Sequence, residues 1–144
     1  MAIEVVALHH HGIRIEPTED GAEKALGFYR DVLGLDADPG RTIVGVPGYW
    51  INVGGERHQT QIHLIGMTGS SKQAPSPEKD PTLPHVALSV RDIDATKKEL
   101  DRLGVDYWVT RGVTGQYSEQ VFVLDPAGNI IELHQEGTCR CRVA

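Results

Sequence analysis

The sequence predicts an α+β fold made of two βαβββ modules in series within one domain, 1–144. Three observations predict it. A histidine-led strand occurs twice, an amphipathic helix stopped by glycine follows each copy, and three strand-like runs follow each helix. His10-His11-Gly12-Ile13-Arg14-Ile15 and His85-Val86-Ala87-Leu88-Ser89-Val90 are the two strands, each with apolar residues at alternate positions. The first helix spans about 20–33, with a stripe of Ala22, Ala25, Leu26, Tyr29, Val32 and Leu33 spaced three and four apart, ended by Gly34. The second starts at Asp92, presents Ile93, Ala95, Thr96, Leu100 and Leu103, and ends at Gly104. The strand runs are 42–46, 49–53 and 61–65 in the first half, and 106–110, 119–124 and 129–133 in the second. The modules are therefore 5–66 and 84–136, joined by a Ser/Pro/Lys/Gly-rich linker, 67–83, and followed by an unpatterned tail, 137–144. The linker is expected to be mobile in its middle. It is long enough to let the halves sit side by side or swap with a second chain.

Composition bounds the function. A chain of 144 residues that is 40% hydrophobic can build a globular core. No run approaches the roughly 18 apolar residues of a membrane span, and the N-terminus lacks a signal-peptide pattern. Fourteen basic against twenty acidic side chains leave a net charge of -6, so neither nucleic acid nor anionic lipid is an expected partner. Cys139 and Cys141 lie in the tail and cannot staple a core, so the expected compartment is cytoplasmic. Seven histidines are about twice ordinary usage.

Their positions matter more. His10 and His85 open the first strand of each half. His63 and Glu132 sit mid-strand, in the same register, at the end of each half. One such histidine alone is more often a packed strand residue, but two equivalent positions filled in both halves point to a metal. The set His10, His63, His85 and Glu132 suits a divalent transition metal (Zn, Ni, Co, Mn or Fe). With no cysteine among them, room remains for an exchangeable water. His9 and His11 alternate with His10 and are expected on the opposite face. His58 is expected in an exposed turn, and His134 shares a face with Glu132. Tyr49, Trp50, Tyr107, Trp108 and Tyr117 line a cavity or fill the core.

Four stretches carry a family resemblance: 9–15, Phe28-Tyr29-Arg30-Asp31-Val32-Leu33-Gly34-Leu35, 85–90, and Phe122-Val123-Leu124-Asp125-Pro126-Ala127-Gly128-Asn129-Ile130-Ile131-Glu132-Leu133. Over about 6–135 the chain resembles the vicinal oxygen chelate superfamily, which holds glyoxalases, bleomycin-resistance proteins and extradiol dioxygenases. The resemblance implies a curled mixed-sheet cup around a metal that chelates two neighbouring oxygens of a small-molecule substrate. It also implies a homodimer. Glyoxalase I-like members match best in ligand pattern and imply a lactoylglutathione lyase-like isomerisation. In that reading Glu132 is the catalytic, metal-bound base, and Arg14 binds a substrate carboxylate or else pairs with a local one.

The chain departs from glyoxalase I at His63, where that family usually carries glutamate, and at Ile65-Gly66-Met67, which replaces an asparagine-bearing motif. Other readings stay open. They are a fosfomycin-type thiol transferase, an Fe(II) extradiol dioxygenase, a methylmalonyl-CoA epimerase-like enzyme with Glu119 as its further acid, and a non-enzymatic bleomycin-resistance-type binding protein.

Overall fold

The computed structural model describes residues 3–41, 45–54, 60–111 and 119–137. Its elements run β1 (Val5–Ile15), α1 (Glu19–Asp31), β2 (Gly48–Val53), β3 (Thr60–Gly66), β4 (His85–Val90), α2 (Ile93–Leu103), β5 (Trp108–Arg111), β6 (Glu119–Leu124) and β7 (Ile130–Gln135). The strands form one mixed sheet in the order β2-β3-β1-β4-β7-β6-β5. Within each module the first and last strands pair in parallel, β1 with β3 and β4 with β7. Antiparallel pairing of β1 with β4 joins the modules, so both halves of the sheet come from one chain.

Local chemistry sets the helices. The Thr18 hydroxyl accepts the Gly21 N–H at 2.9 Å and starts α1, with Glu19 and Asp20 in its first turn. Asp92 caps α2 through the Ala95 N–H, and Gly104, at φ 68°, ends it in the left-handed conformation. Both helices pack on one face of the sheet. Leu26 of α1 meets Ile51 and Leu64, while Leu100 of α2 meets Val90, Val121 and Leu133. Each such side chain, fully buried, contributes roughly 1.5–3 kcal/mol. Among the described residues no helix packs on the other face, which holds the polar residues.

Several expectations change. α1 ends at Asp31, and Val32 and Leu33 stand 65% and 52% exposed rather than on the buried stripe. The chain turns there, with the Leu35 N–H bonded back to the Tyr29 carbonyl. The strand expected at 42–46 falls largely outside the described residues, and Gly45 and Val46 form a bend. The outer edge of β2 is met instead by 36–38, through an antiparallel bridge from Ala37 to Ile51 and bonds from Asp38 N to Trp50 O and Asn52 N to Asp36 O. Glu119 does not face the polar side: it pairs with Lys97 of α2 and with Arg111. His58, Tyr117, Cys139 and Cys141 lie outside the described residues.

The linker is tied down. Asp80, 1% exposed, accepts from the Ser71 N–H and hydroxyl and from the Thr82 N–H and hydroxyl at 2.6–2.9 Å. The Arg14 guanidinium donates to the Gly69 carbonyl and to the Thr82 hydroxyl and carbonyl, and lies 3.5 Å from Asp80. Of the two readings of Arg14, pairing with a local carboxylate is the one its contacts match. Lys79 extends the linker over the Trp108 ring at 5.7 Å. No helix among the described residues is long and apolar enough to cross a membrane.

Candidate metal centre

Strand register builds the site. One row across the open face reads Asn52, Gln61, His10, Ala87, Glu132, Phe122 and Trp108. The next reads Trp50, His63, Gly12, His85, Ile130 and Leu124. Two small residues open the centre. Ala87 stands between His10 and Glu132 and lets them meet above it. Gly12 stands between His63 and His85, and the His85 ring lies across its bare Cα. A Cβ there would fall 2.5 Å from His85 Nε2 and 2.7 Å from Nδ1.

His10, His85 and Glu132 converge. His10 Nε2 is 3.1 Å from His85 Nε2, and Glu132 Oε2 is 3.2 Å and 3.0 Å from them. All three residues are no more than 4% exposed. His85 Nδ1 lies 2.6 Å from the Leu83 carbonyl and must donate to it, which leaves the Nε2 lone pair for the centre. When His10 likewise carries its proton on Nδ1, three acceptors face one another across about 3 Å. Only a cation or a proton stabilises that arrangement. With bonds of about 2.1 Å, ligands at right angles around a metal stand about 3.0 Å apart and tetrahedral ligands about 3.4 Å. The observed triangle has the size that three ligands at right angles would span.

His63 is close but separate. Its ring lies 5.9 Å from that of His10 and stacks on Trp50 at 3.7 Å, and its buried Nε2 has no hydrogen-bond partner. It is absent from both groups of side chains whose atoms lie close enough to share one ion, His10–His85–Glu132 and His9–His10–His134. The guanidinium of Arg41 covers the other face of Trp50 at 3.4 Å and donates to Gln61, which in turn bonds Asn52 and Asp38.

His9 was expected on the opposite face, and it is not there. The β1–β4 register shifts between Leu8 and His10, so a β-bulge places His9 on the polar side. Its Nδ1 is 2.7 Å from His10 Nδ1, and its ring stacks on His134 at 4.1 Å. His134 does share the face of Glu132. Its Nε2 is 2.8 Å from Glu132 Oε1, though not aligned for a hydrogen bond, and Gln120 Nε2 donates to that same oxygen. Gln120 escaped the sequence reading. It pairs with His134 across β6 and β7, so only the register reveals it.

Electrostatics assigns protonation. Burial lowers the His10 pKa to about 4 against the opposing pull of Glu132, and lowers His9 to about 2 with help from His134 and His10. Burial also holds His63 well below the ordinary histidine value, with His10 and His85 adding to it. Burial pushes His85 down as well, but its hydrogen bond to and the charge of Glu132 outweigh this and raise it. Burial raises Glu132, yet its histidine neighbours hold the carboxyl well below the usual range. At neutral pH the site therefore offers neutral His10 and ionised Glu132, while His85 is the ligand whose proton affinity is raised.

A family model described as Glyoxalase/Bleomycin resistance protein/Dioxygenase superfamily matches residues 9–133. No curated protein matches the chain significantly. Among solved structures, methylmalonyl-CoA epimerase from Mycobacterium tuberculosis is 25% identical with a TM-score of 0.65, covering 94% of this chain and 91% of that one. The Streptomyces coelicolor methylmalonyl-CoA epimerase, in complex with 2-nitronate-propionyl-CoA, is 18% identical with a TM-score of 0.64, covering 93% and 99%. A hypothetical protein from Bacillus halodurans is 20% identical with a TM-score of 0.61, covering 90% and 93%.

Proposed function

Because the chain belongs to the glyoxalase/bleomycin resistance protein/dioxygenase superfamily, we propose that it is a divalent-metal enzyme moving a proton on the carbon next to a carbonyl, an isomerase or epimerase of a small carbonyl compound. The observation that carries this reading is the buried triangle of His10 Nε2, His85 Nε2 and Glu132 Oε2, with sides of 3.0–3.2 Å. A divalent metal held there supplies Lewis-acid stabilisation of negative charge on two adjacent substrate oxygens. The chain supplies the rest. His10 and His85 present Nε2 to the centre, and Gln120 steadies Glu132 at Oε1. Glu132 takes the proton from carbon onto its carboxylate and returns it to the neighbouring carbon, while inversion at the same carbon would need a second proton donor on the opposite face of the substrate. Burial of all three residues excludes water that would compete for that proton.

Within this class, two observations favour a carboxylate-bearing acyl thioester over a glutathione conjugate. Arg14, the residue matched to glutathione binding, is held by Gly69, Asp80 and Thr82 of the linker. The M. tuberculosis neighbour is a methylmalonyl-CoA epimerase. Beside the triangle, the first module places Arg41 with Gln61 and Asn52, and the second places Phe122 stacked on Trp108 at 5.2 Å.

The test is deuterium exchange from D2O, followed by NMR, with protein loaded with Co, Ni, Mn, Zn or Fe(II). The substrates are methylmalonyl-CoA and the hemithioacetal of methylglyoxal with glutathione. Metal-dependent exchange into the first that Glu132→Gln abolishes supports the reading. Exchange into the hemithioacetal alone returns the function to glyoxalase-type isomerisation. Bound metal with no exchange into either removes the proton-transfer reading.

A further inference from the structure

Behind the three converging ligands lies a second layer of imidazole that the chemistry above does not use. His9 and His134 are 1% and 2% exposed, and their rings stack 4.1 Å apart and 12° from parallel. The stack cannot itself grip an ion. Imidazole lone pairs lie in the ring plane, and two nearly parallel planes at that spacing send them past each other. What the stack does is orient. His9 Nδ1 faces His10 Nδ1 at 2.7 Å, a separation that requires one proton between the two nitrogens.

We propose that His9 is a positioning residue for the metal centre: it accepts the His10 Nδ1–H, fixes the tautomer that leaves the His10 Nε2 lone pair facing His85 and Glu132, and is itself held by its stack on His134. The inference rests on the metal reading above and deepens it. The tautomer follows from the geometry. His10 Nε2 is the atom 3.1 Å from His85 Nε2, so it must be the bare nitrogen for a metal to bind. Its proton then sits on Nδ1 and points at His9. His9 in turn carries its own proton on Nε2, a buried atom with no other partner. That orphaned donor is a standing cost to the fold. It persists because the bulge at His9 delivers the ring to this face and nowhere else. The layout matches His85, whose Nδ1–H goes to the Leu83 carbonyl. Each histidine of the centre is thus aimed by an acceptor behind it, one a backbone carbonyl and one a side chain.

Two variants separate acceptor from packing. His9→Phe keeps an aromatic ring on His134 and removes the acceptor. His9→Asn keeps an acceptor near the position of Nδ1 and removes the ring. Affinity for Zn(II) and Co(II) is measured by competition with a chromophoric chelator, beside the wild type and His10→Ala. The expected result is about a 10- to 100-fold loss of affinity in His9→Phe and recovery of most of it in His9→Asn. His9→Phe binding as tightly as the wild type, or His9→Asn losing as much as His9→Phe, overturns the proposal and leaves the metal reading standing. A wild type that takes up no metal overturns both. Should His9→Phe fail to fold, the wild-type chain still decides. Nitrogen NMR of the metal-free protein should show His10 protonated on Nδ1 with scalar coupling across the bond to His9 Nδ1, and a His10 protonated on Nε2 refutes it.

Discussion

Replacing Gly12 with alanine tests how the centre is assembled. The backbone of Gly12 lies within a strand, and alanine meets no conformational barrier there, so the whole effect falls on one neighbour. The new Cβ would stand 2.5 Å from His85 Nε2, where ordinary contact begins at 3.4 Å. His85 Cε1 lies closer still, so the ring must retreat by more than about 0.9 Å. A ligand has roughly 0.5 Å of tolerance before it leaves productive geometry. Gly12→Ala should therefore displace His85 and weaken metal binding on the order of 100-fold, about 2.7 kcal/mol. Stability should change less. Overpacking costs about 1–3 kcal/mol, partly offset by about 0.4–1 kcal/mol from the less flexible unfolded chain. Chelator-competition titration gives the affinity, and thermal unfolding of the metal-free protein gives the stability. The decisive comparison is the double variant. In His85→Ala the obstructed ring is gone, so adding Gly12→Ala should weaken metal binding no further. Wild-type affinity in Gly12→Ala refutes the reasoning, as does an additive loss in the double variant.

Other outcomes follow from the same geometry. His63→Ala should keep metal affinity within about tenfold of wild type while His10→Ala abolishes it, since His63 stacks on Trp50 outside the group able to share an ion. Metal uptake should release a proton near neutral pH, seen with a pH indicator, because Glu132 raises the pKa of His85 above 6.5 against the pull of burial. By the same sign, the His85–Glu132 pair stabilises the metal-free protein fully below pH 6.5, and that contribution fades as pH rises through the raised value. Asp80→Ala should lower stability by about 3 kcal/mol by stranding the Ser71 and Thr82 donors. Burial raises the Asp80 pKa, but those four hydrogen bonds outweigh it and hold it below 3.8. The wild type should therefore keep that contribution down to about pH 4 and lose it below, a drop the alanine variant lacks.

Much of this site was legible before any coordinates. The alternation places His10 and His85 on equivalent first strands and His63 and Glu132 on equivalent last strands, and pairing of β1, β4 and β7 brings His10, His85 and Glu132 together while His63 stays apart. What escaped depended on events no local pattern records. The bulge at His9 adds one residue to β1 and reverses the side a simple alternation assigns. The edge of β2 is met by 36–38, a stretch with two aspartates and no strand periodicity. Arg14 shares a face with His10, as the spacing implied, yet its contacts are set by Gly69 and Thr82, more than fifty residues away along the chain. Glu119 alternates with apolar neighbours in a way that does not reveal which face is polar, and Lys97 on α2 settles it.

The most direct measurement of the central claim is anomalous diffraction from crystals of the full chain soaked in Co(II) or Mn(II). The account predicts one strong peak within bonding distance of His10 Nε2, His85 Nε2 and Glu132 Oε2, absent from His10→Ala crystals treated in the same way. No peak at that triangle, or a peak that survives in His10→Ala, contradicts it.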